Sequence, residues 1–176
     1  MIYRRDDIDY REGDEIKPSN AYKAKVEEYA EQVATAFDFG VGEHPSAIVE
    51  KLGGRIHYEA MDELLDEAGS IFVHGEADFD ILLPEYTSPK RDRFTIAHEL
   101  GHYFLHSTQG ETPIIAYRQG STRIEWEANW FAAALLMPAS EFRSACVELD
   151  GSLPLIADRF GVSEDAATVR KGALDA

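Results

Sequence analysis

Residues 91–106 read RDRFTIAHELGHYFLH, and the interpretation of the whole chain turns on them. The pair Ser88-Pro89 suits a helix start, and from Lys90 to His106 the only breaker is Gly101, so the spacing predicts one continuous helix. His98 and His102 are four residues apart on one face of it, where two imidazoles can converge on a tetrahedral ion. Glu99 adjoins a ligand but points elsewhere. A carboxylate there can take a proton from a metal-activated water and later return it to a leaving amine. The flanking Phe94, Ile96, Ala97, Leu100, Phe104 and Leu105 are those of a buried helix, where clustered ionisable groups are costly without a metal to hold.

Two ligands do not hold a catalytic zinc, so a third is expected. His106 continues the series, but on a continuous helix it lies about 12 Å along the axis from His98. It is therefore expected to support the ligands or the core. The better source is the next helix, IEWEANWFAAALLM over 124–137, where Glu125 and Glu127 interrupt an apolar stretch. A carboxylate beside Trp126, Trp130 and Phe131 pays desolvation unless it meets a cation. Thr122 and Glu125 fit a capping box, with Glu125 favoured by the helix dipole. That leaves Glu127 as the expected third ligand, with His98 and His102, and Glu99 as the catalytic acid/base. Such an N2O set takes Zn2+ and also accepts Mn2+ or Fe2+.

Upstream, RIHYEA, SIFVHG and DFDILL are short, rich in β-branched and aromatic residues and separated by turn formers, which predicts a small antiparallel sheet. His57 and His74, within these strands, are expected to be structural. A helix capped by Ser19 or Asn20 carries Tyr22, Val26, Ala30, Val33 and Phe37 at helical spacing, and a short one follows at PSAIVEKLGG. The stretch from Thr108 to Ser121 is expected to be a loop, Pro138 to end the apolar helix, and LPLIADRFGVSEDAATVRK to form helix, turn and helix. The fold class is thus α+β, a small antiparallel sheet with a helical HExxH core. One domain is expected over 1–176, with 19–138 its core and 139–176 a helical tail.

The 176 residues carry 17 basic and 33 acidic side chains, a formal charge of −16. That field repels phosphate backbones and argues against DNA as the main ligand; the second tail helix, starting Ser-Glu-Asp, points the same way. Acidic runs such as DELLDEAG and VEEYAEQ are expected to solvate exposed faces. The single Cys146 has no internal partner and is expected to pack as a small hydrophobe. Arg91 and Arg93 oppose the helix dipole at their helix start, so carboxylate partners are expected. No run approaches the length of a membrane span and MIYRRDDIDY is too charged for a secretory leader, which predicts a cytoplasmic protein.

RDRFTIAHELGHYFLH followed some twenty residues later by EWEANWFAAALLMP resembles the ImmA/IrrE family of metallopeptidases, with a weaker extension through LIADRFGVSEDAATVR. The resemblance implies a gluzincin-like domain with His98, His102 and Glu127 as ligands and Glu99 as acid/base. It also implies a substrate, a helix-turn-helix transcriptional repressor encoded nearby, whose cleavage derepresses stress or mobile-element genes. Neither the fused amino-terminal DNA-binding domain nor the long carboxyl-terminal sensor domain of some relatives is expected. A signal is then expected to act through this domain, the repressor or a separate partner. The competing reading is a non-hydrolytic regulator-binding module or toxin–antitoxin component using the same metal fold.

Overall fold

The computed structural model describes residues 3–60, 70–118 and 120–175; the acidic run DELLDEAG lies outside them. Five strands form one sheet: β1 (Arg11–Glu12), β2 (Arg55–Glu59), β3 (Ser70–Gly75), β4 (Asp78–Pro84) and β5 (Ile114–Tyr117), in the order β1-β5-β3-β4-β2. The α+β class holds, and the three expected strands form where alternation places them. The sheet is mixed, however, rather than antiparallel. β3 runs antiparallel to β4 and β5, while β2 pairs parallel with β4 and β1 parallel with β5. Strand β5 lies inside the segment expected to be loop.

Pleating sends alternate residues to opposite faces. Ile71, Val73, Phe79, Ile81, Leu83, Ile114 and Ala116 face the helices and join the main core. On the other face Phe72, Leu82 and Ile115 pack with Tyr10, and Tyr3, Ile8 and Tyr117 border them. The amino-terminal segment thus covers the outer face, which is why the central strands are apolar on both sides.

Seven helices complete the described chain: α1 (Lys23–Ala36), α2 (Ser46–Lys51), α3 (Pro89–Gly101), α4 (Arg123–Leu136), α5 (Ala139–Glu148), α6 (Leu153–Phe160) and α7 (Glu164–Asp175). Ser88 caps α3 by accepting from the Arg91 N–H, with Pro89 in the first turn. Helix α1 starts later than expected, after Tyr22 rather than Ser19 or Asn20, because the backbone N–H groups of those two are engaged by α4. Cys146 on α5 is partly buried against the core. Phe142, Ile156, Phe160, Val162 and Ala167 place the three tail helices in the same core as α1, α3 and α4. No helix among the described residues is long and apolar enough to cross a membrane.

Arg93 finds carbonyls rather than the expected carboxylate. Its buried guanidinium donates to the carbonyls of Gly42, Glu43, Phe160 and Gly161 and so ties α3 to the loop before α2 and to the α6–α7 turn. Arg91 is exposed, and its guanidinium has no carboxylate partner among the described residues. His57 and His74 are structural: their Nε2 atoms lie 2.8 and 2.7 Å from the two oxygens of Asp80, while Tyr10 Oη lies 2.5 Å from His74 Nδ1.

Candidate metal centre

Helices α3 and α4 pack face to face at Gly101. A Cβ at that position would stand 3.0 Å from Ala128 Cα and 3.2 Å from its carbonyl oxygen. This close approach brings the carboxyl-terminal half of α3 against the first turns of α4. The Nε2 atoms of His98 and His102 lie 3.2 Å apart. Glu125 supplies the third group, with one oxygen 3.1 Å from His98 Nε2 and the other 3.2 Å from His102 Nε2. Among the described residues, this is the set whose geometry could hold a metal ion.

Glu127, expected in that place, is brought elsewhere. It is two residues from Glu125, about 200° around the helix, and looks toward the amino-terminal segment. Its oxygens accept from the backbone N–H groups of Ser19 and Asn20 at 2.8 and 3.0 Å and from Arg123 Nε at 2.9 Å, and one lies 3.0 Å from His106 Nε2. The cation that rewards its burial is therefore Arg123. The capping box fails for the matching reason: Thr122 stands at the N-cap but makes no side-chain cap bond, and the Glu125 side chain turns toward the histidines.

His106 is closer to the centre than a continuous α-helix allows. After Gly101 the chain widens its register into a π-helical turn over His102–His106, closed by the Ser107 N–H donating to the His102 carbonyl at 3.0 Å. Such insertions recur at functional sites. The turn sets His106 Nδ1 2.9 Å from His102 Nδ1. Proton positions then follow from the ends of the chain. Glu127 as a carboxylate only accepts, so His106 Nε2 carries a hydrogen; in the neutral ring Nδ1 then accepts, so His102 Nδ1 carries one and its Nε2 is a bare lone pair. On the other ligand, Asn129 Oδ1 lies 2.9 Å from His98 Nδ1 and calls for a hydrogen there, which bares His98 Nε2 as well.

Two bare nitrogens and a carboxylate facing one another at 3.1–3.2 Å require a cation between them. Protons would also serve, and if they sat on the facing nitrogens, their hydrogen bonds would hold the Glu125 carboxyl at about 2 against the opposing effect of burial. Burial, however, lowers both imidazoles below their ordinary value, and the Nδ1 partners already claim their hydrogens. The donor set of two imidazoles and one carboxylate suits a divalent ion with a coordination position left open. A second observation agrees. Glu99 is fully buried, and neither of its carboxylate oxygens has a hydrogen-bond partner among the described residues. Burial pushes this carboxyl well up, with the neighbouring Glu125 charge adding and Arg118 opposing. An orphaned buried carboxylate beside a three-donor cluster is what a water held at an ion would complete.

A cleft of about 820 Å³ opens on the cluster. Helix α4 is not buried all round: Trp126, 48% exposed, and Asn129 line this opening. Arg118, directly after β5, reaches in from the opposite wall. It donates to Thr95 Oγ1 at 2.9 Å, with its guanidinium 6.0 Å from the Phe94 ring centre. Sequence reasoning missed Glu125, Asn129 and Arg118. For the first two a signal existed: they are four apart and lie on the same side of the Ala128–Leu135 stripe, whereas Glu127 lies on its other side.

The arrangement defines a class: an α+β domain in which a His-Glu-x-x-His helix faces a glutamate from the following helix across a metal-binding cluster. The family follows. Residues 50–170 match the IrrE N-terminal-like domain, peptidase family M78, and the chain belongs to that family. It is similar to the metallopeptidase ImmA of Bacillus subtilis (strain 168), 29% identical over 88 residues, which are 49% of this chain and 52% of that protein. Its fold resembles that of a Mycobacterium tuberculosis transcriptional regulator, with a TM-score of 0.59 and 23% identity, covering 86% of this chain and 47% of the other. The chain thus spans about half the length of each of these relatives.

Proposed function

We propose that this chain is a metal-dependent endopeptidase of the cytoplasm, with zinc the preferred ion, and that its substrate is a helix-turn-helix transcriptional repressor. The observation that supports the catalytic reading most is the convergence of His98, His102 and Glu125 beside the unpartnered, buried Glu99. In this reading Glu125, rather than Glu127, is the third ligand. The repressor rests on the family alone, and the acidic composition argues against direct DNA contact. Residues 139–176 act as part of the one catalytic domain, since they share its core.

When bound, the ion supplies Lewis-acid polarisation of a water molecule and of the scissile carbonyl. The protein supplies the rest. Glu99 accepts a proton from the attacking water as its oxygen bonds to the carbonyl carbon, then delivers that proton to the amide nitrogen as the C–N bond breaks. Burial favours the protonated form it must pass through. Asn129 and the His106–Glu127 pair fix the ring orientations and tautomers of His98 and His102.

Glu99→Gln keeps the shape and removes the base. The expected outcome is unchanged metal content with peptide-bond cleavage reduced by about 100-fold or more, followed on the repressor encoded beside this gene with and without chelator. Repressor inactivation unaffected by the substitution would favour the non-hydrolytic binding module instead.

A further inference from the structure

The chain has nearly two acidic side chains for each basic one, yet the cleft beside the metal cluster reverses that balance. Its walls carry Lys90, Arg91 and Arg118, and among the described residues that line it the only carboxylate is that of Glu125, which faces the two histidines. Lys90 is tethered to Asp158 at the rim. The guanidiniums of Arg91 and Arg118 meet no carboxylate among the described residues; Arg118 is steadied by one bond to Thr95, three residues before His98 on α3. The excess is confined to this side of Glu125. The groove on its other side, about 400 Å³, holds Arg123, already paired with Glu127, and Asp14. A further groove, which Arg118 also lines, carries Asp165 and pairs Lys23 and Arg170 with Glu27.

Cations held without counter-charge in a concave site, one of them pre-oriented by a buried hydroxyl, are arranged for a ligand carboxylate. We propose that the cleft selects a substrate segment bearing an acidic side chain on one side of the cleaved bond, and that Arg118, with Arg91 at the rim, determines this specificity. The inference rests on the peptidase reading for its substrate but not for its measurement, which is a binding preference. It also runs against the field of the molecule as a whole, which would by itself favour basic peptides.

The test uses the full chain carrying Glu99→Gln, loaded with zinc, and fluorescein-labelled peptide pools of random sequence that differ only in one fixed central residue: Glu, Gln or Lys. Fluorescence anisotropy is expected to give about tenfold tighter binding of the Glu pool than of the Gln pool, as for a charge-assisted guanidinium–carboxylate contact, with the Lys pool weakest. Arg118→Gln and the exposed Arg91→Gln should each bring the Glu-to-Gln ratio toward one, and Arg118→Lys should keep part of it. Zinc content and melting curves of each variant confirm that the site is intact. Equal binding of the Glu and Gln pools, or preference for Lys, would overturn the proposal. So would an Arg118→Gln variant that weakens both pools equally, which would assign that side chain to the peptide backbone. Incubating the same pools with the zinc-loaded unsubstituted protein tests the peptidase reading separately: a charge preference without cleavage would leave the specificity standing and remove the enzyme.

Discussion

Glu125 and Glu127 are two residues apart and alike in their surroundings: both are buried, and each has a histidine nitrogen within 3.2 Å. What separates them is the side of α4 they occupy: they flank the Ala128–Leu135 stripe on opposite sides, and Glu125 is on the side that meets His98 and His102. Reading depth along the helix instead of side selects Glu127, which meets Arg123 and the amino-terminal segment rather than His98 and His102. The two assignments differ in a measurable way. Glu125→Gln removes a charged donor from the cluster, whereas Glu127→Gln loosens His106 and, through it, the tautomer of His102. Zinc affinity by chelator competition is expected to fall about 10- to 100-fold for Glu127→Gln, as for other partners that orient a ligand, and further for Glu125→Gln. A larger loss in the Glu127 variant would return the ligand role to that residue. His98, Glu99 and His102 were legible because four-residue spacing on a helix is a local property. Glu125 depends on which face of α4 meets another helix, and that is decided by packing.

At the level of elements, the ligand geometry depends on how near α3 and α4 stand. Gly101 sets that distance, and its neighbours there are Ala128 backbone atoms and the Phe131 Cβ at 3.3 Å, none of which can rotate away. Gly101→Ala should gain about 1 kcal/mol of helix propensity but must push the helices apart. The net expectation is a loss of about 1–3 kcal/mol, typical of overpacking in a core, together with weaker zinc binding, because the ligands straddle the displaced interface. Urea denaturation and chelator competition on the same variant check both halves; a more stable protein with unchanged zinc affinity would show that the helices can separate freely. The same tight contact explains which elements were readable. Three strands with clear alternation and the long helices announce themselves. Strand β5 is four residues after Pro113 and exists by pairing with β3 and β1; β1 is two residues long and exists by pairing with β5. Their hydrogen bonds are supplied from afar, so no local pattern marks them.

Across the whole molecule, the sheet separates the side that carries the His98–His102–Glu125 cluster from an outer face closed by the amino-terminal segment, and the same segment goes on to meet Glu127 through Ser19 and Asn20. Its attachment to the outer face runs through Asp80. Burial opposes ionisation of that side chain, but bonds from Arg55, His74 and His57 outweigh it and hold the carboxyl well below the usual carboxylate range. His74 in turn contacts Tyr10, and Arg5 and Arg55 share Asp78. Because the folded-state pKa is depressed, the unfolded chain binds the proton more readily. The stabilisation is therefore complete above the unfolded value of about 4 and declines as pH falls below it. Asp80→Asn keeps the shape and removes the charge. At neutral pH it should cost about 3 kcal/mol, as when one partner of a buried ion pair is lost. Its stability should also change less than that of the unsubstituted protein between about pH 5 and 2, so that the two converge in acid. Urea denaturation across that range measures the difference, which isolates Asp80 from the other carboxylates. Parallel curves would place the anchoring of the amino-terminal segment in the apolar contacts of Tyr10 with Phe72 and Ile115 instead.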